Sequence, residues 1–464
     1  DKQAGLEYAE MELYDRANYA RAEEIVRRDV LDYYINDKDG ILLLGDVFLE
    51  WAEVDADKYD DAREQYSNLI QLYGQTDLYM SRMLRYFIRT DNLQNVLTLK
   101  NRFYPNKKSL GAQDWTELSG YLLDKLYGTL SKSEEYLRSS IEDVLDMLNT
   151  AVKLDPVNPV ARYNLSRYFL HNNNDASAQR EMQIALDLFA NAPVRTKKNT
   201  YREINGNRIL GELFADKREY LKAQEAYTRG INVFTEEHEK TGLTGDENTG
   251  HLYADLGDID YFIAGDMDSA LANYQTAIAT QYDSPSLNYR VGAIHYNRKQ
   301  YDKALGSFIK TAETEGKDTN LLLSLGNTLS LRGDNFAAQG YYADLLNRLN
   351  DERARHGMLL PQDDEDDNYL VDMYLKTNTN LGVTLYRLAR QTGNSAMNAE
   401  AMVRLADAMR AWDALSRNQV TMKRLEGGNL ALQNSKYITH PYSEFEPAIY
   451  TDIPKTLSGE KGLE

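Results

Sequence analysis

"VGAIHYNRKQYDKALGSFIKTA", residues 291–312, places a glycine inside a helical pattern and sets Ala304 and Phe308 at fixed distances behind it. An isolated amphipathic helix needs neither. Counted from Pro285, Val291 falls at position 7, Gly292 at 8, His295 at 11, Ala304 at 20, Phe308 at 24 and Thr311 at 27. Adding 34 residues lands on Leu325, Gly326, Leu329, Ala338, Tyr342 and Leu345. Subtracting 34 gives Gly257, Asp258, Tyr261, Ala270, Tyr274 and Ala277, with the glycine one place early. Two further registers begin at Pro159 (Leu165, Ser166, Phe169, Ala178, Met182, Ala185) and at Ile204 (Leu210, Gly211, Phe214, Ala223, Tyr227, Gly230). Small residues at 8 and 20 let two antiparallel helices approach, and the large ones fill the space between them. Polar breakers such as Asn172-Asn173-Asn174-Asp175, Gly265-Asp266 and Arg332-Gly333-Asp334 mark the turns.

A 34-residue interval with this residue pattern resembles the tetratricopeptide repeat (TPR). The resemblance implies an all-α, right-handed TPR α-solenoid of antiparallel helix pairs, in which neighbouring pairs bury each other's apolar faces. Five helix pairs read convincingly, out of about nine or ten along the chain. Residues 1–158 read as degenerate TPR-like pairs: Leu44-Gly45 and Phe48 precede Ala62, Tyr66 and Leu69 across a lengthened turn at 53–58. A regular array follows at 159–352, then an acidic insertion loop at 353–370, then a last pair with a capping helix at 371–435. Residues 436–464 break the period. Pro441, Pro447 and Pro454 forbid a continuous helix there, so an extended tail is expected. Its apolar set, Tyr437, Ile438, Tyr442, Phe445, Ile449 and Tyr450, is too rich for a disordered end, and points to docking on the solenoid or on a partner.

Composition narrows the function classes. The chain has 464 residues, nine prolines and 34 tyrosines, most of them expected in packing roles with the hydroxyl edge near water. A formal charge of −19 repels phosphate backbones and anionic lipid heads, so neither nucleic acid nor a membrane surface is expected as partner. The apolar runs fall well below the roughly 18 residues of a membrane span, so no direct membrane insertion is expected. Without cysteine there are no disulfides, thiolate metal sites or thiol nucleophiles. The start at Asp1 rather than Met reads as a processed or trimmed chain, compatible with a removed signal peptide.

Catalytic signals are missing. The six histidines are scattered, and His295 sits at a packing position, where a structural role is expected. No GxSxG, HExxH, GxxxxGK[ST] or GxGxxG occurs. Asp363, Glu365 and Asp367 alternate as in a calcium loop, but Asn368 and Tyr374 stand where glycine and glutamate are required. The sequence therefore reads as a non-enzyme with no cofactor and no metal.

The resemblance implies instead a concave groove lined by the first helix of each pair. Its positions map here onto Tyr163, Arg167, Leu170 and His171, then Asn205, Arg208, Glu212 and Asp216. Asp255, Ile259 and Phe262 follow, then Tyr289 and Tyr296, then Leu323, Asn327 and Ser330. The protein-binding candidates are Tyr163, Arg167, Asn205, Arg208, Phe262, Tyr289, Tyr296 and Asn327, since arginine beside clustered aromatics is the composition of binding hot spots. The same aromatics could instead pack between repeats or under the tail. The carboxylate clamp of chaperone-type TPRs is absent: its places are taken by Asp255, Ile259, Arg290, Asn320 and Ser324.

The expected function is a non-enzymatic protein–protein interaction scaffold. The layout of degenerate early pairs, a regular block at 251–352 and a tail rich in proline and tyrosine also resembles the spirochaetal periplasmic TPR proteins of the flagellar collar. That resemblance implies a periplasmic location, collar or motor proteins as partners, self-association, and support of assembly and motility. The alternatives are a peptide-binding adaptor and a regulatory accessory chain of a separate enzyme.

Overall fold

The structure is a computed structural model that describes residues 2–129, 138–140, 142–192, 195–316, 318–356, 365–415, 429–440, 446–460 and 462–463. It divides into two units, residues 1–213 and 214–464. No strand occurs among the described residues.

Unit 1 stacks five antiparallel pairs: α1 (Lys2–Glu10) with α2 (Tyr19–Ile25), α3 (Lys38–Trp51) with α4 (Lys58–Tyr73), α5 (Asp77–Arg89) with α6 (Leu93–Phe103), α7 (Ala112–Asp124) with α8 (Val144–Leu154), and α9 (Pro159–His171) with α10 (Asp175–Ala190). Helix α11 (Lys197–Ala215) spans the division between the units. Unit 2 holds α12 (Tyr220–Thr241) and four pairs. These are α13 (Glu247–Asp258) with α14 (Met267–Ala279), α15 (Pro285–Asn297) with α16 (Tyr301–Glu315), α17 (Thr319–Arg332) with α18 (Asn335–His356), and α19 (Glu365–Thr392) with α20 (Ser395–Leu415). A single helix, α21 (Leu430–Thr439), closes against α20. Each unit is an all-α, TPR-type stack of helix pairs.

The breakers in the sequence become caps. Gly265 and Gly333 sit at φ +68° and +88°, conformations open to glycine, and end the helical segment Ile259–Ala264 that continues α13 and the helix α17. Asp266 then accepts from the backbone N–H of Ser269 at 3.1 Å and Asp334 from that of Ala337 at 3.2 Å, which starts the next helix. Asn158 and Ser284 cap α9 and α15 in the same way, each followed by a proline in the first helical turn.

The glycine of each pair lies under a large side chain of the second helix. A Cβ on Gly292 would stand 2.6 Å from the Phe308 ring, on Gly326 2.5 Å from Tyr342, on Gly257 2.8 Å from Tyr274, and on Gly45 2.5 Å from Tyr66. This contact explains the spacing in residues 291–312. It also places α3 and α4 in the same scheme, despite the longer turn between them.

Where the covering ring is tyrosine, the residue after the glycine receives its hydroxyl. Tyr66 donates to Asp46, Tyr274 to Asp258 and Tyr342 to Asn327, each at 2.7 Å. Where the ring is Phe308, that residue is Ala293. The next pair closes the site: Arg82 Nε donates to Asp46 at 2.9 Å and Arg290 Nη1 to Asp258 at 2.8 Å, while Asn380 Nδ2 reaches Asn327 Oδ1 at 2.8 Å. Burial pushes the Asp46 and Asp258 carboxyls above their ordinary range in spite of these arginines.

Three boundaries differ from the sequence reading. Helix α18 continues to His356 and α19 begins at Glu365, so both edges of the expected 353–370 loop are helical; Asp363 lies outside the described residues. Lys436–Thr439, expected to begin the tail, complete α21, whose start is capped by Asn429 accepting from Leu432 N–H at 3.0 Å. The described extended run begins at residue 446; Tyr442 and Phe445 lie outside the described residues.

Candidate protein-binding grooves

In unit 1, four predicted residues form one polar network. Asn205 Nδ2 donates to the Tyr163 hydroxyl at 2.6 Å, and Arg208 Nε donates to Asn205 Oδ1 at 3.1 Å. Arg208 also pairs with Glu212, and Arg167 pairs with Asp124 at 2.7 Å while lying 5.7 Å from the centre of the Tyr163 ring. The basic edge is thus neutralised from within the fold. Arg202, which the sequence reading passed over, donates to Asn199 at 2.8 Å, and burial draws its pKa below the usual arginine value. His171 stacks on Tyr127, ring centres 4.3 Å apart. His295 is buried and hydrogen-bonds Gln300 through Nδ1 at 2.8 Å, a structural role.

In unit 2, the predicted residues do not face open space. Residues 446–460 run along α19, α17, α15 and the helical segment Ile259–Ala264 that follows α13, and Asn327, Tyr296 and Tyr289 hold them. Asn327 Nδ2 donates to the Tyr450 carbonyl at 3.1 Å, Tyr296 to the Thr451 carbonyl at 2.6 Å and Tyr289 to the Pro454 carbonyl at 2.9 Å. Tyr289 is 0% exposed, and burial raises its hydroxyl pKa well above normal. Phe262 lies under Arg290, 5.4 Å from the ring centre, and a Cβ on Gly462 would meet its ring at 2.7 Å.

The strongest contacts come from residues the sequence reading missed. Asn380 grips Tyr450 twice, accepting its N–H at 2.7 Å and donating to its carbonyl at 2.9 Å. Asn434 does the same to Ala448, at 3.0 and 2.8 Å. Asn320 donates to the Thr456 carbonyl at 2.8 Å and Arg387 to that of Pro447 at 3.1 Å. An amide side chain pairs with both groups of an extended residue as a neighbouring strand would. Two residues further on, such a strand repeats its orientation, which is why Ala448 and Tyr450 are the pair gripped. A signal was present: Thr377-Asn378-Thr379-Asn380 is a run of poor helix formers, every one 0% exposed, inside α19.

Side chains anchor the run at three points. Tyr450, 1% exposed, packs among Leu375, Leu405, Leu415 and Leu430, and its hydroxyl accepts from the Leu430 N–H at 3.2 Å. Asp452 pairs with Lys376 at 2.6 Å, which also holds Asp372. Burial would depress the Lys376 ammonium, but the two carboxylates more than offset it and keep its pKa above normal. Leu457 packs among Tyr289, Tyr296, Phe308 and Leu325. Near the end, Asp318 accepts from the Ser458 N–H at 2.8 Å, and Glu460 meets Arg290 at 3.5 Å and Ser286.

Among the described residues no helix is long and apolar enough to cross a membrane. No protein-family model matches the chain, and no curated protein matches it. Solved structures similar to it include TPR proteins. YrrB, described as a TPR protein with an unusual peptide-binding site, is 16% identical, with 43% of this chain and 91% of that one covered and a TM-score of 0.34. The C-terminal part of a TPR repeat-containing protein from Cytophaga hutchinsonii is 14% identical over 63% of this chain and 98% of that one, TM-score 0.38. PilF of Pseudomonas aeruginosa is 15% identical over 51% and 92%, TM-score 0.37.

Proposed function

We propose that the chain is a non-enzymatic scaffold that binds other proteins through the groove faces of its helix pairs. The observation that carries this reading is the asparagine row of unit 2, where Asn434 and Asn380 each pair with both backbone groups of an extended residue. Helix interiors gain nothing from such asparagines by themselves. They are useful to a surface that holds extended polypeptide.

The finer reading is a structural role in the periplasmic flagellar collar, with collar or motor proteins as partners. Its support is the layout of the chain: loosely patterned early pairs, a regular block, and a tail bearing proline and tyrosine.

The experiment is affinity purification of the full chain from its native cells beside a variant with Arg167→Glu and Arg208→Glu. A scaffold retains defined protein partners, and the variant, which gives up the Asp124 and Glu212 pairs, loses some of them while keeping its helical signal and a cooperative melt. Partners retained in full by a stable variant remove unit 1 from the binding surface. No retained protein by either chain rejects the scaffold. For the finer reading, cell fractionation must find the chain in the periplasm, and its deletion must remove density around the motor in tomograms.

A further inference from the structure

The contacts of residues 446–460 divide into two kinds. Most reach the backbone and would accept any extended sequence: Asn434, Asn380, Asn327 and Asn320 read N–H and C=O groups alone. Others depend on side-chain identity. The buried anchors are three: Tyr450 fills the pocket between α19, α20 and α21, Asp452 meets Lys376, and Leu457 enters the core of α15 and α17; Ser458 and Glu460 add polar contacts nearer the end. The groove therefore reads the pattern Tyr-x-Asp-x-x-x-x-Leu on a polypeptide held straight.

The geometry points to a receptor groove for an extended segment of a partner protein carrying Tyr-x-Asp-x-x-x-x-Leu, with residues 446–460 as its resident substitute. This inference rests on the scaffold reading above. A partner protein is favoured over a second copy for two reasons. Copies carrying a net charge of −19 repel one another. Each copy also brings its own tail to its own groove at an effective concentration on the order of millimolar. With the tail away, Lys376 and Arg290 each keep one carboxylate of the groove, Asp372 and Asp258, and lose a second, Asp452 and Glu460, so the groove offers two places to acidic side chains of a partner segment.

The binding-competent groove is then the minor state of the isolated chain, and apparent affinity falls by the fraction open. Tail and partner compete for the same asparagines. A partner succeeds by matching the three anchors more closely than the tail does, or by arriving where it is concentrated.

The test uses the full chain and a labelled peptide with the sequence of residues 446–460. Anisotropy is measured against the unaltered chain and against a variant with Tyr450→Ala and Asp452→Lys, whose tail is weakened but present. The peptide is expected to bind the variant at least tenfold more tightly than the unaltered chain. A peptide with lysine in place of its aspartate should bind at least tenfold more weakly, and adding Asn380→Ala to the variant should weaken binding at least fivefold. Should the variant lose its helical signal, hydrogen exchange on the unaltered chain decides the matter: excess peptide must speed exchange at Tyr450 and Ser458. A folded variant that ignores the peptide, equal binding of both peptides, or unchanged exchange overturns the proposal. A doubling of mass through exchanged tails assigns the groove to a second copy and overturns the partner-protein source. If the peptide fails while affinity purification still returns partners that depend on Arg167 and Arg208, this inference falls and the scaffold stands.

Discussion

The Tyr342 hydroxyl donates to Asn327 Oδ1 at 2.7 Å, and the Asn327 amide nitrogen then points at the Tyr450 carbonyl, 3.1 Å away. A bond inside a helix pair thus orients a groove residue. Tyr342→Phe removes one donor but leaves Asn380 to hold Asn327 Oδ1, so about 1 kcal/mol of stability should be lost in urea unfolding. Phe308 offers the reverse test, since Ala293 faces it with no acceptor. Phe308→Tyr should cost about 1–3 kcal/mol by burying an unpartnered hydroxyl, and Ala293→Asn in the same chain should recover part of that.

Two glycines in one helix pair should respond with opposite signs. Gly292→Ala drives a methyl to 2.6 Å from Phe308 and should cost about 1–3 kcal/mol. Phe308→Leu in the same chain should lower that cost, which a double-mutant cycle by thermal melting would show. Gly306, on α16, is exposed with nothing near its added Cβ. Gly306→Ala should therefore stabilise by about 0.5–1 kcal/mol through helix propensity. Equal losses at both positions would mean that the close approach of α15 and α16 is not what the glycine serves.

The fold was legible because its main constraint is local in sequence. Gly292 and Phe308 lie 16 residues apart, and that interval repeats, so steric pairing writes itself as a period. The site was legible in part. Tyr289, Tyr296 and Asn327 were identified as groove residues from their repeat positions, and they do line one face. That the tail docks on the stack and covers these aromatics was one of the readings left open; which tail residue each of them holds was not readable, because Tyr289 and Pro454 are 165 residues apart and no periodicity links them. Asn380 and Asn434 escaped for another reason: both fall outside the regular array, where no repeat position singles them out. The odd polarity of Thr377–Asn380 was their one trace.

Asn380→Ala should separate tail docking from folding. The change leaves the Tyr450 N–H without its acceptor, while Asn327 continues to serve the Tyr450 carbonyl. A loss of about 1–3 kcal/mol is expected, as for an orphaned buried donor. It should fall mainly on the tail: amides of 446–460 exchange faster, those of α15 and α17 hardly change, and protease trims the chain at its end. Uniform weakening of unit 2 would show that the tail is an inseparable part of the stack.

His171 provides a titration that reports on the unit 1 groove. Burial depresses its pKa first, and the neighbouring Arg167 cation depresses it further against a partial pull from Asp124. The folded value therefore lies below 6.5, the unfolded one near 6.5. With that sign, the unfolded chain takes up the proton first as pH falls. The stability contributed is full above pH 6.5 and is lost as pH drops toward the folded value. In an NMR titration of the six histidine ring protons, His171 should have its midpoint under 6.5, and Arg167→Ala should move it upward. The Tyr127 stack is made by the ring itself, and Arg167→Ala both removes the cation and frees Asp124, two changes that raise the midpoint together. An unmoved midpoint would place the Arg167 guanidinium turned away from the ring, toward solvent or a bound partner, and not over Tyr163 and Asp124.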